Sequence, residues 1–270
     1  MNEDVRIDRK IEFRNPQMII GLDGWVNAGK VSTFSVKYLI DKLGAKKFGE
    51  IPQGRFHDYA IQRPFVSIKE GLMRSYIPPQ NALYYWKGKE NSDLILLLGV
   101  EPHLDWPRYV DIMLKVAKKM NVNRIYTIGG YLADIPIEDE PLINLTTNNE
   151  KLIDELKKVG LVLTNYAGPT CIYSEILWRC KTEKIDAVSL WSAVPIHIEG
   201  IYPKAAYHML KKVTLLTGIE VDLTDLKRKA EAFKGEFERR TYKMDGGNRG
   251  PSIERTCIST RKCSYNSSMG

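Results

Sequence analysis

Short apolar runs alternate along the chain with amphipathic stretches, and this alternation predicts an α/β fold. Continuous apolar runs are typical of parallel strands that are covered on both faces, and the stretches between them place apolar residues at helical spacing. The pattern therefore predicts a doubly wound, mainly parallel sheet in an α/β/α sandwich. The predicted strands are Met18–Asp23, Leu94–Leu98, Arg124–Ile128, Leu161–Thr164 and Ile185–Leu190.

Helices are predicted between the strands, where apolar residues recur with a period near 3.6. The first apolar stripe runs from Val36 to Leu43 and is followed by Gly44, at a position where glycine commonly ends a helix. Four further stripes and one charged helix follow the same logic. They are Tyr109–Met120, Leu152–Leu156, Ile172–Cys180, Ala206–Leu216 and Asp222–Arg240.

Two regions depart from this rhythm. Residues 48–86 are rich in proline, glycine and aromatic residues and alternate with period two, which predicts an insertion of antiparallel strands. Residues 243–270 contain few apolar residues and no period, which predicts a disordered polar tail. The sequence thus predicts a single α/β domain over residues 1–242, followed by that tail.

The charge distribution argues against a nucleic-acid partner. The net charge is +7, but the segment from Lys243 onward holds five basic and two acidic residues, and the other basic residues mostly alternate with acids along helices. Such alternation is typical of solvated helix faces. No apolar run is long enough to span a membrane, and the first residues lack the apolar core of a signal peptide. We therefore expect a cytoplasmic protein with no membrane partner.

The four cysteines predict neither a zinc site nor a disulfide framework, because no Cys-x-x-Cys pair is present. Cys171 falls near a predicted helix start, where a thiolate would be stabilised. A nucleophile also needs a base within reach, and the chain has four histidines. A buried, unreactive Cys171 is the favoured interpretation, and the sequence predicts no catalytic residue and no metal site.

The loop after the first strand looks like a phosphate-binding loop. Gly24-x-x-x-x-Gly29-Lys30 matches seven of the eight positions of a Walker A motif, but Val31 stands where the motif has Ser or Thr. Ser32 comes one residue late, which rotates it by about 100° around a helix. A tight strand-to-helix turn with an incidental Lys30 is therefore favoured over nucleotide hydrolysis, while anion binding at the helix N-terminus stays open.

Two other segments carry residues with metal-binding chemistry. Glu101, His103 and Asp105 lie within five residues, but their spacing around a proline fixes no metal geometry, and a capped helix start is favoured. His197-x-Glu199 matches part of the zinc-deaminase motif but lacks the downstream Pro-Cys-x-x-Cys. Neither segment predicts a metal centre.

Taken together, five segments resemble the proteasome assembly chaperone 2 family. They are GLDGWVNAG, GVEPHLDWPRYVDIMLKVAKKMNVNRIYTIGGYLADIP, NYAGPTCIYSEIL, AVSLWSAVP and YPKAAYHMLKKVTLLTGIEVDLTDL, in that order from Met18 to Leu226. The resemblance implies a sandwich similar to phosphorylases and nucleoside hydrolases. It also implies a homo-oligomer, a trimer or a larger ring, that acts on proteasome core subunits or a related assembly. We expect no cofactor. The Lys- and Ile-rich composition favours the archaeal type within a group that spans archaea and bacteria.

The chain departs from the family pattern at several polar positions. Many bacterial relatives have PHTRP where this chain has IPIEDEP, and VPHY where it has VPIHI. The turn that usually ends in glycine has Cys171, and the final residues, NSSMG, lack the hydrophobic–Tyr–any residue tail that docks on the proteasome. These differences weaken an enzymatic hypothesis, and they imply that any binding to the proteasome would use another element.

Three functions compete at this point. A chaperone-like binding protein is favoured over an enzyme. The alternatives are a small-ligand-binding protein or hydrolase-like enzyme, and a nucleic-acid-binding protein. Ligands of such sheets sit beyond the carboxyl ends of the strands, so we predict a crevice there. Its residues are Asp23, Gly24, Trp25, Asn27, Glu101, Gly129, Gly130, Gly168, Thr170 and Trp191.

Overall fold

A nine-stranded mixed sheet forms the middle layer of the protein. The structure, a computed structural model, describes residues 5–7, 11–52, 54–89 and 92–245. Contacts along the chain divide it into residues 1–234, which hold the sheet, and residues 235–270. The strands are β1 Arg6–Ile7, β2 Gln17–Asp23, β3 Lys46–Ile51, β4 Phe65–Lys69, β5 Leu72–Ile77, β6 Asn81–Trp86, β7 Leu94–Val100, β8 Arg124–Ala133, β9 Ile143–Thr147, β10 Val162–Leu163 and β11 Asp186–Pro195.

Within the described residues, six α-helices connect or follow the strands. They are α1 Val31–Leu43, α2 Trp106–Lys119, α3 Ile153–Lys158, α4 Ile172–Thr182, α5 Pro203–Thr217 and α6 Thr224–Asp245. Helices α2 and α4 contact each other, and α1 contacts α5. Met18, Ile20 and Leu22 join a buried cluster with residues of α2 and α4, whereas Gly21, on the opposite side of β2, lies against Val36 of α1. The sheet is therefore covered by helices on both faces, as an α/β sandwich requires.

The strand order is β1-β3-β6-β7-β2-β8-β11-β9-β10. The four central strands, β7, β2, β8 and β11, are parallel and start at one level, with Gln17 opposite both Leu94 and Arg124, and Arg124 opposite Asp186. They do not end at one level, because β2 and β7 have seven residues while β8 and β11 have ten. The predicted fold class is confirmed.

The edges of the sheet differ from the prediction. The run Leu161–Thr164 was expected to be a strand covered on both faces, but β10 has two residues, forms the edge of the sheet and is exposed. Strand β9 was not predicted, and it pairs antiparallel with β11. The apolar residues of β10 give the same pattern as a strand covered on both faces, and this pattern misled the prediction. An edge strand has only one neighbour and needs no long apolar run.

The predicted antiparallel insertion is present, but its strands divide between the main sheet and a separate hairpin. Strands β3 and β6 extend the main sheet through antiparallel pairing. Strands β4 and β5 form a separate two-stranded hairpin. At the other end of the chain, α6 runs to Asp245, beyond the predicted end at Arg240, and the predicted disordered tail after it lies outside the described residues.

Candidate functional site

The loop between β2 and α1 is built around residues with positive φ. Gly24 has φ 130°, Gly29 has φ 56° and Lys30 has φ 52°. A side chain at Gly29 would also meet Tyr202 and Val194 at 3.0 Å. The backbone amide of Tyr202 donates a hydrogen bond to the carbonyl of Gly29 at 2.9 Å. The glycine is thus needed for a close approach of two chain segments rather than for a phosphate.

Asp23 organises a polar cluster in this loop. Its Oδ1 accepts hydrogen bonds from Asn27 Nδ2 at 2.7 Å, from Lys30 Nζ at 3.0 Å and from the Gly24 amide at 3.2 Å. Asn27 Oδ1 accepts from the amide of Thr33 at 3.1 Å and so caps the first turn of α1. Burial raises the pKa of Asp23, but the hydrogen bonds from Asn27 and Lys30 outweigh it and hold that pKa below its ordinary value.

Lys30 is therefore not the incidental residue that the sequence predicted. It forms an ion pair with Asp23, although both side chains are substantially exposed and such a pair adds little stability. The cap from Asn27 also occupies an amide that could otherwise bind an anion at this helix start. The loop's polar groups are mostly engaged with one another.

Ser32 explains why the loop resembles a Walker motif without being one. Its side chain is fully buried, and its Oγ accepts a hydrogen bond from the amide of Leu22 at 2.9 Å. The hydroxyl of Tyr173 lies 2.9 Å from the same Oγ, accepts from the Leu22 amide at 3.0 Å and donates to the carbonyl of Ile128 at 3.1 Å. The Ser32 hydroxyl therefore points into the core, where it cannot hold a metal ion for a nucleotide.

Glu101 is the central buried carboxylate at this edge of the sheet. Its Oε2 accepts from the amide of Trp25 at 3.1 Å, and its Oε1 accepts from the amide of Ile172, the first residue of α4, at 3.0 Å. Burial raises the pKa of Glu101 although both hydrogen bonds oppose this. The carboxylate thus fastens the loop after β2 to the start of α4.

Gly129, Gly130 and Trp191 serve the packing of β8 and β11. A Cβ at Gly129 would lie 2.6 Å from the ring of Trp191, so the indole lies across the glycine. Trp191 Nε1 donates to Ser189 Oγ at 2.8 Å. The amide of Gly130 donates to the carbonyl of Val26 at 2.8 Å, which ties β8 to the loop after β2. The indole of Trp191 lies too close to Gly129, and the backbone of Ala28 too close to Gly130, for a side chain at either position.

The turn before α4 carries the last predicted crevice residues. Gly168 and Thr170 are exposed, and the hydroxyl of Thr170 is hydrogen-bonded to that of Ser174. Cys171 is buried, and burial raises the pKa of its thiol to about 12. A thiol with that pKa is protonated at neutral pH, so Cys171 is unsuited to nucleophilic chemistry.

The other candidate metal ligands have structural contacts. His103 Nδ1 accepts from the amide of Asp58 at 3.1 Å, and Asp105 caps α2 by accepting from the amide of Arg108. Among the residues that the structure describes, no group of three or more His, Cys, Asp or Glu could hold a metal ion.

An apolar rim, which the sequence did not predict, surrounds this edge of the sheet. Trp25, Leu132 and Ile196 are about three-fifths exposed. Each rim residue lies at or just after the end of a strand, or in the loops that follow, where polar side chains are expected. An isolated large apolar residue within such a polar turn is the sequence signal that could have found it. The rim consists of Trp25, Leu104, Leu132, Tyr166, Ile196 and Ile201.

Of the ten predicted crevice residues, the structure brings Asp23, Gly24, Trp25, Asn27, Glu101 and Gly130 together through direct contacts. An open groove of about 660 Å³ lies beside them, and among the ten only Asp23 lines it. Its other lining residues include Lys30, Phe34, Lys37 and Ile201. The groove thus lies on the α1 side of the predicted crevice.

A family model settles the relationship. The PAC2 family model matches residues 21–240. The chain belongs to the PAC2 family. The match covers the chain from the last residues of β2 through the loops described above to most of α6, and membership of this family supports a chaperone-like role for the chain.

Individual relatives come from bacteria and archaea. The chain is 28% identical to a proteasome-assembly chaperone homologue from Mycobacterium tuberculosis, with a TM-score of 0.76 over 82% of this chain and 94% of that one. It is 23% identical to PbaB of Pyrococcus furiosus, an archaeal proteasome activator, with a TM-score of 0.72 over 88% and 98% of the two chains. An uncharacterized protein of Methanocaldococcus jannaschii is 23% identical over 241 residues, 86% of this chain and 87% of that protein.

Within the described part of the chain, no helix combines the length and the apolar character needed to cross a bilayer.

Proposed function

We propose that the protein is a chaperone-like binding protein that acts as a homo-oligomer on proteasome subunits or a related assembly. The observation that carries this proposal is the apolar rim at the carboxyl edge of the sheet. In an α/β enzyme this edge holds the reacting groups. Here it exposes large apolar side chains around polar groups that are mostly bonded to one another, as a protein-binding surface does.

The chemistry of the edge supports binding over turnover. Glu101 already accepts two hydrogen bonds from backbone amides. Asp23 accepts one from a backbone amide and two from the side chains of Asn27 and Lys30, and the Cys171 thiol is buried. A general base or nucleophile must be able to reach a substrate atom. Glu101 and Asp23 instead hold the loops in place, which makes them positioning residues for the rim.

The nature of the client is taken from the relatives. One structural relative is described as a proteasome-assembly chaperone homologue and another as an archaeal proteasome activator. We therefore propose α-type subunits of the proteasome core as the first client to test.

The test is a binding titration with purified core subunits from the same organism, followed by native mass spectrometry. We expect a complex at micromolar concentration, and we expect the double substitution Trp25→Ser/Leu104→Ser to abolish it. Trp178→Ser/Leu215→Ser is the matched control, because Trp178 and Leu215 are about as exposed but lie on helices α4 and α5. No complex with the wild type, or equal loss in both double variants, would refute the proposal.

The groove favours a second candidate, the binding of a small anionic ligand. Its wall combines Lys30 and Lys37 with the aromatic rings of Phe34 and Tyr84. Lys30 pairs with Asp23 at 3.0 Å and Lys37 pairs with Asp41 at 2.5 Å, so an aromatic anion would have to displace these aspartates from the lysines while its ring packs on the apolar surface. A thermal-shift screen with nucleotides tests this. A stabilisation that Lys37→Ala removes would favour the candidate, and an unchanged melting temperature with every nucleotide would count against it.

A further inference from the structure

The β4–β5 hairpin is the most exposed apolar element of the described chain. It joins Phe65–Lys69 to Leu72–Ile77 through Glu70 and Gly71, both with positive φ, as the type I′ turn of a two-residue hairpin requires. Seven large apolar side chains on it are between about two-fifths and two-thirds exposed. They are Phe65, Val66, Ile68, Leu72, Met73, Tyr76 and Ile77.

These side chains lie on both faces of the hairpin. Val66 is opposite Tyr76 and Ile68 is opposite Met73 on one face, while Phe65 is opposite Ile77 on the other. An isolated two-stranded hairpin is only marginally stable in water. Exposure of apolar side chains on both faces therefore indicates an element that is completed by another molecule.

The exposed apolar area on one face of the hairpin supplies part of a protein interface. Aromatic side chains present roughly 150–250 Å² each, and aliphatic ones fall near the low end of that range. The four on one face, Val66, Ile68, Met73 and Tyr76, are a little more than half exposed and so present roughly 350 Å². A standard protein interface buries about 800 Å² on each partner, so one face of the hairpin supplies a little under half of one side.

The same chain carries a surface with the complementary character, which we call the acceptor surface. It consists of the exposed apolar residues Leu132, Leu142 and Ile196 together with the loop 134–140. Backbone hydrogen bonds hold these parts together, because the amide of Ile196 donates to Ala133 and that of Ala193 donates to the carbonyl of Leu142.

The two surfaces differ in the sign of their charge. The hairpin carries Lys69 and Arg74 against Glu70, so it is basic. The acceptor loop carries four acids, Asp134, Glu138, Asp139 and Glu140. Two lysines contact it, since Lys234 pairs with Glu138 at 2.8 Å and Lys204 donates to the carbonyls of Ile137 and Glu138. The loop stays acidic after both lysines are counted.

Both surfaces lie at the same edge of the sheet, and the apolar side chains of both stay exposed within the folded chain. The hairpin directly precedes β6, whose Ala82 pairs with Leu98 near the carboxyl end of β7. The acceptor surface lies at the carboxyl ends of β8 and β11. Strands are spaced about 4.8 Å apart, so three to four spacings put roughly 15–20 Å between the strands that carry the two surfaces.

We infer that the β4–β5 hairpin of one copy docks on the acceptor surface of a second copy, head to tail, so that the copies close into a ring. A head-to-tail contact uses two different surfaces on each copy and produces a ring when the rotation closes. This inference rests on the homo-oligomer of the proposed function and specifies its interface. The remaining rim residues, Trp25, Leu104, Tyr166 and Ile201, stay available to a client.

The first test measures the mass of the full chain in solution by light scattering and native mass spectrometry. We expect the wild type to be a closed oligomer and Ile68→Asp/Met73→Asp to be a monomer with unchanged circular dichroism. Trp178→Asp/Leu215→Asp is the control for added charge on exposed apolar positions and should keep the wild-type mass. A monomeric wild type, or a hairpin variant that keeps the wild-type mass, would overturn the inference.

A pair of compensating charge reversals tests the partner surface by restoring assembly as well as by removing it. Lys69→Glu/Arg74→Glu should weaken assembly by roughly tenfold or more, because like charges then face each other. Adding Asp139→Lys/Glu140→Lys to the same chain should restore it. Failure of the restored chain to assemble would overturn the head-to-tail pairing.

The inference and the proposed function fail separately. An oligomer that depends on the hairpin but binds no proteasome subunit would overturn the client and leave the interface standing. A hairpin variant that keeps the wild-type mass but loses the client would show that the hairpin binds the client instead, which overturns the inference.

Discussion

Removing the buried carboxylate of Glu101 should destabilise the protein strongly. The two amides that it accepts from, those of Trp25 and Ile172, would both lose their partner in Glu101→Ala. Hydrogen bonds to a charged group contribute about 1.5–3 kcal/mol each. Part of this is offset by the cost of burying the charge, which is the reason why the pKa of Glu101 is raised. We therefore expect a loss of about 3 kcal/mol in the free energy of unfolding.

Thermal and urea unfolding followed by circular dichroism measure this loss. For a domain of this size, 1 kcal/mol lowers the melting temperature by about 2–4 °C, so Glu101→Ala should melt about 6–12 °C lower. Glu101→Gln keeps one acceptor and most of the volume and should fall between Ala and wild type. Glu220→Ala, at an exposed glutamate, is the control and should be near neutral. If Glu101→Ala melts with that control, the carboxylate does not fasten the two loops as described.

The pH dependence of the free energy of unfolding gives an independent test of the environment of Glu101. The folded pKa of Glu101 lies above its ordinary value of 4.5, so its titration contributes stability that is fully present below pH 4.5 and is lost as pH rises through the folded pKa. Glu101→Gln has no such titration. The stability difference between wild type and Gln should therefore shrink as pH rises through this window, and a difference that grows would refute the raised pKa.

Three further outcomes follow from the neighbouring contacts. Asn27→Ala removes the cap on the amide of Thr33 and should cost about 1 kcal/mol in urea unfolding. The lowered pKa of Asp23 gives stability that is present above pH 3.8 and lost as pH falls through the folded pKa, so acid unfolding of Asp23→Asn should lack this contribution. Tyr173→Phe deletes a buried hydroxyl with three partners and should cost about 1–3 kcal/mol by calorimetry, whereas Tyr166→Phe, at an exposed position, should change little.

The central part of the fold could be predicted from the sequence because its strands are covered on both faces. Such strands leave continuous apolar runs, and the run at Leu94–Leu98 is the plainest example. Strand β9, between β11 and β10, carries no comparable signal, since it is short and only partly covered. The apolar residues of β10 gave the same pattern as a central strand because pattern alone does not report how many neighbours a strand has.

The candidate site was predictable only in its backbone. Glycines such as Gly24 and Gly29 mark the turns at strand ends, and the structure confirms that these positions have positive φ. The partners of Glu101 are backbone amides 76 and 71 residues away, and no spacing in the sequence encodes them. The apolar rim was missed for a different reason, since a residue such as Ile196 appears as an ordinary apolar residue until its exposure is known.

Because the central strands differ in length, the edge of the sheet that faces the client is stepped. The four strands start level, but β8 and β11 are three residues longer than β2 and β7, so at about 3.3 Å per residue they project roughly 10 Å further. The loop after β2 fills part of this step, because the amide of Gly130 in β8 donates to the carbonyl of Val26 and Asn27 forms a bridge with Gly130. A client bound at the exposed Trp25 of this loop would therefore lie against the side of the longer strands, next to the acceptor surface at their ends.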